Sequence, residues 1–221
     1  MAVFFGALVV AILVGVVIAI NIAAKKRREA FAALAQRLGL MFSSYRDPDM
    51  AKRFAFLNKL AQGSNRYAFN TLWGNFAGHA IYAFDYHYET YSRDSEGKQQ
   101  TDDHYFSCLI LMLERPFPEL TIGREGLLSK IAQSLGYDDI NFESHEFSQA
   151  FCVRSRDKKF AYDFCNGRMM EYLLQNRDLT IEVEAHALAL TFPSRLDPMS
   201  VEYNLNRLVQ LRSLMPKYLF G

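Results

Sequence analysis

The sequence predicts an α+β protein: an N-terminal transmembrane helix followed by a soluble region of antiparallel sheet with packed helices. Three observations carry this reading. From Met1 to Ala24 the chain is apolar, with Asn21 the one polar residue after Met1, and the run stops at Lys25, Lys26, Arg27 and Arg28. Residues 67–91 and 104–114 show the alternating or continuous apolar patterns of strands. Asp-Pro pairs at 47–48 and 197–198 mark helix starts, because the aspartate caps free backbone N–H groups and proline suits the first turn.

The first element is the apolar run. As a helix, residues 2–24 rise by about 1.5 Å each to about 34 Å, enough for a hydrocarbon core of about 30 Å. A cleaved signal peptide would carry basic residues before its apolar stretch and a small-x-small site after it. Here the basic residues follow, and Ile22-Ala23-Ala24 puts a bulky residue at the small position. Residues 1–24 are therefore expected to be an uncleaved anchor and 25–28 a basic juxtamembrane cluster. Lys25, Lys26, Arg27 and Arg28 are expected to meet anionic lipid headgroups. By the positive-inside rule they place the N-terminus outside and the soluble region in the cytoplasm, as a single-pass protein of a bacterial inner membrane. Ala7, Ala11, Gly15, Ala19 and Ala23 recur every four residues and form a small-residue stripe suited to a membrane protein partner or to self-association.

Glu29 to Leu38 is expected to continue as helix up to Gly39, with a short strand at Leu40 to Ser43. Asp47-Pro48 then opens a helix burying Met50, Phe54, Leu57 and Leu60, closed by Gly63. Tyr67 to Trp73 alternates as a strand, Gly74-Asn75 is the expected hairpin turn, and Phe76 to Tyr91 is the second strand. Ser92 to Asp103 reads as a loop. His104 to Glu114 returns as a strand whose unbroken apolar centre, Cys108 to Leu113, predicts burial on both faces, with Arg115-Pro116-Phe117-Pro118 ending it. The remainder predicts a helix over Arg124 to Leu135 and an extended stretch from Asp139 to Val153. An Asp157-capped helix carrying Phe160, Ala161 and Phe164 follows, broken at Asn166-Gly167 and resumed over Met169 to Gln175. Thr180 to Glu184 and Ala187 to Phe192 are expected to pair as a hairpin. Asp197-Pro198 starts a last helix that reaches Met215 and buries Val201, Leu205, Leu208 and Val209.

Two α+β halves, 29–118 and 119–221, are suggested by internal echoes: Leu34 to Gly39 with Ile131 to Gly136, Lys52 to Phe56 with Lys158 to Tyr162, and Gly78 to Ile81 with Ala185 to Leu188. The residues Asp139 to Phe147, Phe151-Cys152-Val153, Asp157, Ala161-Tyr162-Asp163 and Arg168 to Leu174 resemble bacterial single-pass membrane protein families of unknown function. Such families are similar to ones encoded beside LemA-type membrane proteins. The resemblance implies a bacterial membrane setting and brings no activity.

The chemistry is sparse. Outside residues 25–28 the chain has 21 basic and 24 acidic residues, a net of −3, so no basic face suggests nucleic acid. Cys108, Cys152 and Cys165 are odd in number and lack C-x-x-C spacing, which argues against a disulfide framework or zinc knuckle. Asp85, His87 and Glu89 share one face of a strand, a possible metal half-site, but a polar outer face opposite the aromatic Tyr82, Phe84, Tyr86 and Tyr88 accounts for the same pattern. Asp139-x-Asn141-x-Glu143 fails as a calcium loop, with Ser144 and Ala150 where glycine and glutamate belong. Asp102-Asp103-His104 and Glu143-x-His145-Glu146 read as ordinary strand-edge polar groups. No nucleotide-binding, hydrolase or zincin motif occurs. No catalytic, cofactor-binding or metal-binding residue is predicted. The expected role is a membrane-anchored, cytoplasmic-facing interaction or scaffold protein, the alternative being a membrane-tethered enzyme or a ligand or metal sensor built on His and carboxylate residues.

Overall fold

The computed structural model describes residues 2–93, 97–124 and 139–221, with side chains from Val14 onward. The chain begins in one helix, α1 (Ala2–Leu38), that runs without a break through the apolar segment, the basic cluster and the amphipathic segment after it. Gly39, at φ 68°, ends it by turning into the left-handed region, and the Leu40 N–H bonds back to the Ala35 carbonyl at 2.8 Å. Among the described residues no helix is long and apolar enough to cross a membrane.

Among the described residues one six-stranded, wholly antiparallel sheet follows: β1 (Met41–Ser43), β2 (Ser64–Phe76), β3 (His79–Arg93), β4 (Gln99–Gly123), β5 (Cys152–Ser155) and β6 (Thr180–Phe192). The order is β1-β2-β3-β4, after which the long β4 pairs with β5 on the edge that β3 has left and with β6 along the other. The expected boundary between halves at 118/119 cuts through β4, so both halves share one sheet. The echoed words also land in unlike places: His79 opens a strand, whereas His186 sits inside one.

Several expectations change for local reasons. The β2–β3 turn is Ala77-Gly78, both at positive φ (50° and 85°), and Gly74 instead pairs with Ile81 inside the hairpin. A side chain at Gly74 would press on the Leu40 side chain at 3.1 Å, so this glycine serves the packing of the α1–β1 corner. Arg115 to Pro118 bends β4 without ending it. The register shifts between Met112 and Leu120, and a bulge is where a strand tolerates prolines that cannot donate to the ladder. Ala185, at φ 48° opposite Phe117, continues the same irregularity into β6, which is therefore one strand and not a hairpin. The expected 92–103 loop is largely ladder, since Arg93 pairs with Gln99. The expected extended stretch from Asp139 contains α4 (His145–Ala150), capped by the Ser144 hydroxyl on the Phe147 N–H. The helix expected over 124–135 lies outside the described residues beyond Arg124.

Two cores flank the sheet. On one face α2 (Pro48–Arg53) and α3 (Asn58–Ala61) lay Met50, Phe54, Leu57 and Leu60 over Phe84, Tyr86, Phe106, Cys108 and Ile110. Asp47 caps α2 as expected, accepting from Asp49 and Met50. On the other face Phe31, Leu34 and Ala35 of α1 join α5 (Lys158–Phe164), α6 (Gly167–Gln175) and α7 (Val201–Leu214) over Ile81, Leu109, Leu111, Leu188 and Leu190. Burial of Cys108 to Leu113 alternates between these cores, which is why every position is apolar. Asp157 caps α5, and Asn166 caps α6. Asp197 holds a turn ahead of α7, which starts three residues past Pro198, and Val209 is half-buried.

Candidate functional site

The residues of α1 that pack on the sheet, Phe31, Leu34 and Ala35, fall on one helical stripe with Arg27, and the exposed Ile20, Ala23 and Ala24 continue that stripe toward the N-terminus. Phe31 is fully buried and stacks on Phe42 with ring centres 5.7 Å apart. One turn earlier, Arg27 Nη1 donates to Asp85 Oδ2 at 2.8 Å and Nη2 to the Leu196 carbonyl at 2.5 Å. Asp85 is fully buried, and also accepts from Asn70 Nδ2 at 2.8 Å and from the Leu196 N–H at 2.7 Å. The aspartate thus gathers α1, β2 and the segment after β6 around one charge. This corrects two expectations: Arg27 is not a headgroup-facing residue, and Asp85 and His87 are not on a solvated strand face. Lys25, paired with Glu29 at 3.8 Å, and Lys26 and Arg28 are exposed.

Where α1 leaves the sheet, a cleft of about 400 Å³ opens between Ile20, Ala23 and Ala24 on the helix and Ser44, Phe69 and Asn70 on the domain, flanked by Arg28 and Arg195. Ala23 of the small-residue stripe therefore faces the chain's own domain, while Gly15 and Ala19 are exposed and a side chain at Gly15 would meet nothing within 4 Å. Ala7 and Ala11 lie outside the described side chains. Beyond the cleft the helix is bare: Val14, Val17, Ile18 and Ile22 are between 51% and 55% exposed.

Further along the same sheet face, His87 stacks on Tyr67 at 4.5 Å and packs on Tyr105 at 4.9 Å. Its Nδ1 faces the Asn65 carbonyl at 3.1 Å and its Nε2 the Asp103 carboxylate at 2.6 Å, with Glu89 directly across the ladder from Asp103. His87, Glu89 and Asp103 are the group among the described residues whose ligand atoms could hold a metal ion. The i, i+2 spacing on β3 was visible in the sequence, but Asp103 joins it through register.

The other polar clusters do not converge. Asp102 accepts from Ser92, while His104 bonds Thr90 and stacks on Tyr88 on the opposite face. Asp139 pairs with Arg154 at 2.6 Å, and His145 contacts its own helix neighbour Gln149. Tyr82, Phe84, Tyr86 and Tyr88 line the smaller core, where the Tyr86 hydroxyl donates to the Leu60 carbonyl at 2.7 Å and burial pushes its ionisation upward. One buried acid has no signal in the sequence: Glu182 on β6, whose carboxylate caps α3 by accepting from the Asn58 N–H and, at 3.3 Å, from the Lys59 N–H. Burial raises its pKa from 4.5 to about 7, opposed by those hydrogen bonds. Nothing in the strand pattern around Ile181 and Val183 distinguishes it.

These elements define a class: an α+β domain on one antiparallel sheet, helices on both faces, with a long N-terminal helix packed on it at its C-terminal end. Among solved structures, the crystal structure of the mycobacterial trehalose monomycolate transport factor A, TtfA, has a similar fold, with a TM-score of 0.58 and 15% identity over 86% of this chain and 95% of that one. No family model and no curated protein matches the chain.

Proposed function

We propose that this protein is a membrane-anchored interaction or scaffold protein whose folded domain faces the cytoplasm. The observation that carries the reading is the bare apolar stretch of α1. Valines and isoleucines on every side of one helix, each about half exposed, form a surface that water does not tolerate and that lipid or a partner helix would cover. Arg27 and Phe31 hold the base of that helix in the domain, so the domain would ride on its anchor at a fixed angle. Lys25, Lys26 and Arg28, exposed just past the apolar run, suit anionic headgroups and a cytoplasmic orientation. The stripe through Gly15 and Ala19 offers a contact surface for a membrane protein partner or a second copy.

Membrane fractionation and thiol labelling test this. The full chain should stay in alkaline-washed membranes and a chain lacking residues 1–24 should not. A cysteine at Gln99, in a Cys152→Ser background, should resist an impermeant thiol reagent until cells are lysed. Ready labelling of intact cells would overturn the orientation, and a soluble full chain would overturn the anchor.

A further inference from the structure

We propose that His87, Glu89 and Asp103 bind a divalent transition-metal cation of the zinc class, clamping β3 to β4. The tautomer of His87 is the first ground. The Asn65 carbonyl 3.1 Å from Nδ1 can only accept, so Nδ1 carries a proton and Nε2 is the nitrogen left to face a cation. A histidine whose second nitrogen donates to a backbone carbonyl is oriented as metal-binding histidines are. The ring is 2% exposed and held between Tyr67 and Tyr105, so this orientation is set by packing before any ligand arrives.

Charge is the second ground. Nε2 lies 2.6 Å from Asp103 Oδ1, a hydrogen-bond separation, so a metal at this place takes the position of the shared proton and moves the two ligand atoms apart. Glu89 stands directly opposite Asp103 in the ladder, an arrangement of like charges that destabilises a sheet. The ligand atoms of all three residues lie within 4.8 Å of one another. A proton on His87 supplies one positive charge against two carboxylates, whereas a divalent cation balances both. Asn65 serves both sides of the site: at φ 46° in the irregular start of β2 it turns its carbonyl to His87, while its side-chain amide donates to Glu89. The Tyr91 hydroxyl adds a second donor to Glu89 at 3.1 Å.

The geometry suits the ion. Bonds of about 2.0–2.2 Å in a tetrahedral centre place ligand atoms about 3.4 Å apart, between the 2.6 Å contact and the 4.8 Å limit seen here. The Asp103 side chain is 58% exposed and free to make that adjustment, and its open side leaves a fourth position to water. One imidazole nitrogen with two carboxylate oxygens favours zinc and its neighbours over magnesium or calcium, which prefer oxygen alone.

The test uses the full chain in detergent micelles, stripped with a chelator and titrated with Zn²⁺ against a chromophoric competitor. One Zn²⁺ per chain is expected, with Asp103→Asn weakening binding at least tenfold and His87→Gln abolishing it. Asp103 is exposed, so its variant reads the site even if the buried His87→Gln chain folds poorly. His104→Gln, one residue away on the other face, should bind as the parent does. X-ray absorption should show nitrogen and oxygen ligands and no sulfur. Absence of stoichiometric uptake, uptake indifferent to Asp103→Asn, or sulfur ligation would overturn the site. So would ¹⁵N spectra showing His87 doubly protonated at neutral pH with Zn²⁺ present, which would leave a plain imidazolium–carboxylate pair.

Discussion

Replacing Arg27 by methionine should loosen the joint between α1 and the sheet by about 2–3 kcal/mol. Asp85 is fully buried and has three donors; Arg27→Met removes the charged one and leaves Asn70 Nδ2 and the Leu196 N–H. Removing one partner of a buried ion pair costs about 3–5 kcal/mol, because the remaining charge stays in a medium that solvates it poorly. Two surviving hydrogen bonds and the 26% exposure of the Arg27 side chain, which lets water reach the vacated place, bring the figure below that range, to about 2–3 kcal/mol. Asp85→Asn keeps the shape but turns its amide NH2 toward the Leu196 N–H and removes the charge facing Arg27, for a similar loss of about 2 kcal/mol. The double variant carries no buried charge, so its loss should fall short of the sum by about 1.5–2 kcal/mol. Urea unfolding of the full chain in micelles, followed by the fluorescence of its single tryptophan, Trp73, measures all four species. An Arg27→Met loss under about 0.5 kcal/mol, or additive losses, would refute the coupling.

Glu182 should make stability fall as pH rises. Its folded pKa of about 7 exceeds the unfolded 4.5, so the folded chain holds the extra proton between those values and loses stability with rising pH across that window. The full effect is on the order of 3 kcal/mol, and Glu182→Gln, which can still cap α3, should flatten the profile between pH 5 and 7.5; an unchanged slope in the variant would rule this out. Gly63→Ala should destabilise by more than about 2 kcal/mol, since φ is 63° and the new Cβ would lie 2.3 Å from the Glu89 carbonyl oxygen, whereas Gly78→Ala, at φ 85° in open space, should cost about 1 kcal/mol in the same urea titration. In a membrane reporter, Gly15→Ile should weaken association of the isolated segment 1–24 more than Val14→Ile does; equal signals would remove the stripe as a contact surface.

What the sequence determines here is what short-range chemistry controls. The Asp47 and Asp157 caps, the buried stripe Met50, Phe54, Leu57 and Leu60, and the doubly buried run Cys108 to Leu113 were legible because capping and periodicity act within a few residues. Even the inward turn of Arg27 has a local signal, its place one turn before Phe31 on the stripe that continues to Leu34 and Ala35, although its charge reads first as a membrane-surface residue. The hairpin turn was misplaced because Gly74 and Gly78 look alike in sequence, and only the approach of Leu40 to one of them separates their tasks. The bends at Phe117 and Ala185 belong to a bulge shared by two strands nearly 70 residues apart, and neither segment carries it alone. The same holds for the polar groups. Asp85 finds Arg27 and Leu196 across 58 and 111 residues, and His87 meets Asp103 through the register of β3 on β4. A charge becomes part of a latch or a ligand set through what folding places within about 3 Å of it and through the water that folding removes, and both are properties of the assembled sheet and not of any segment of the chain.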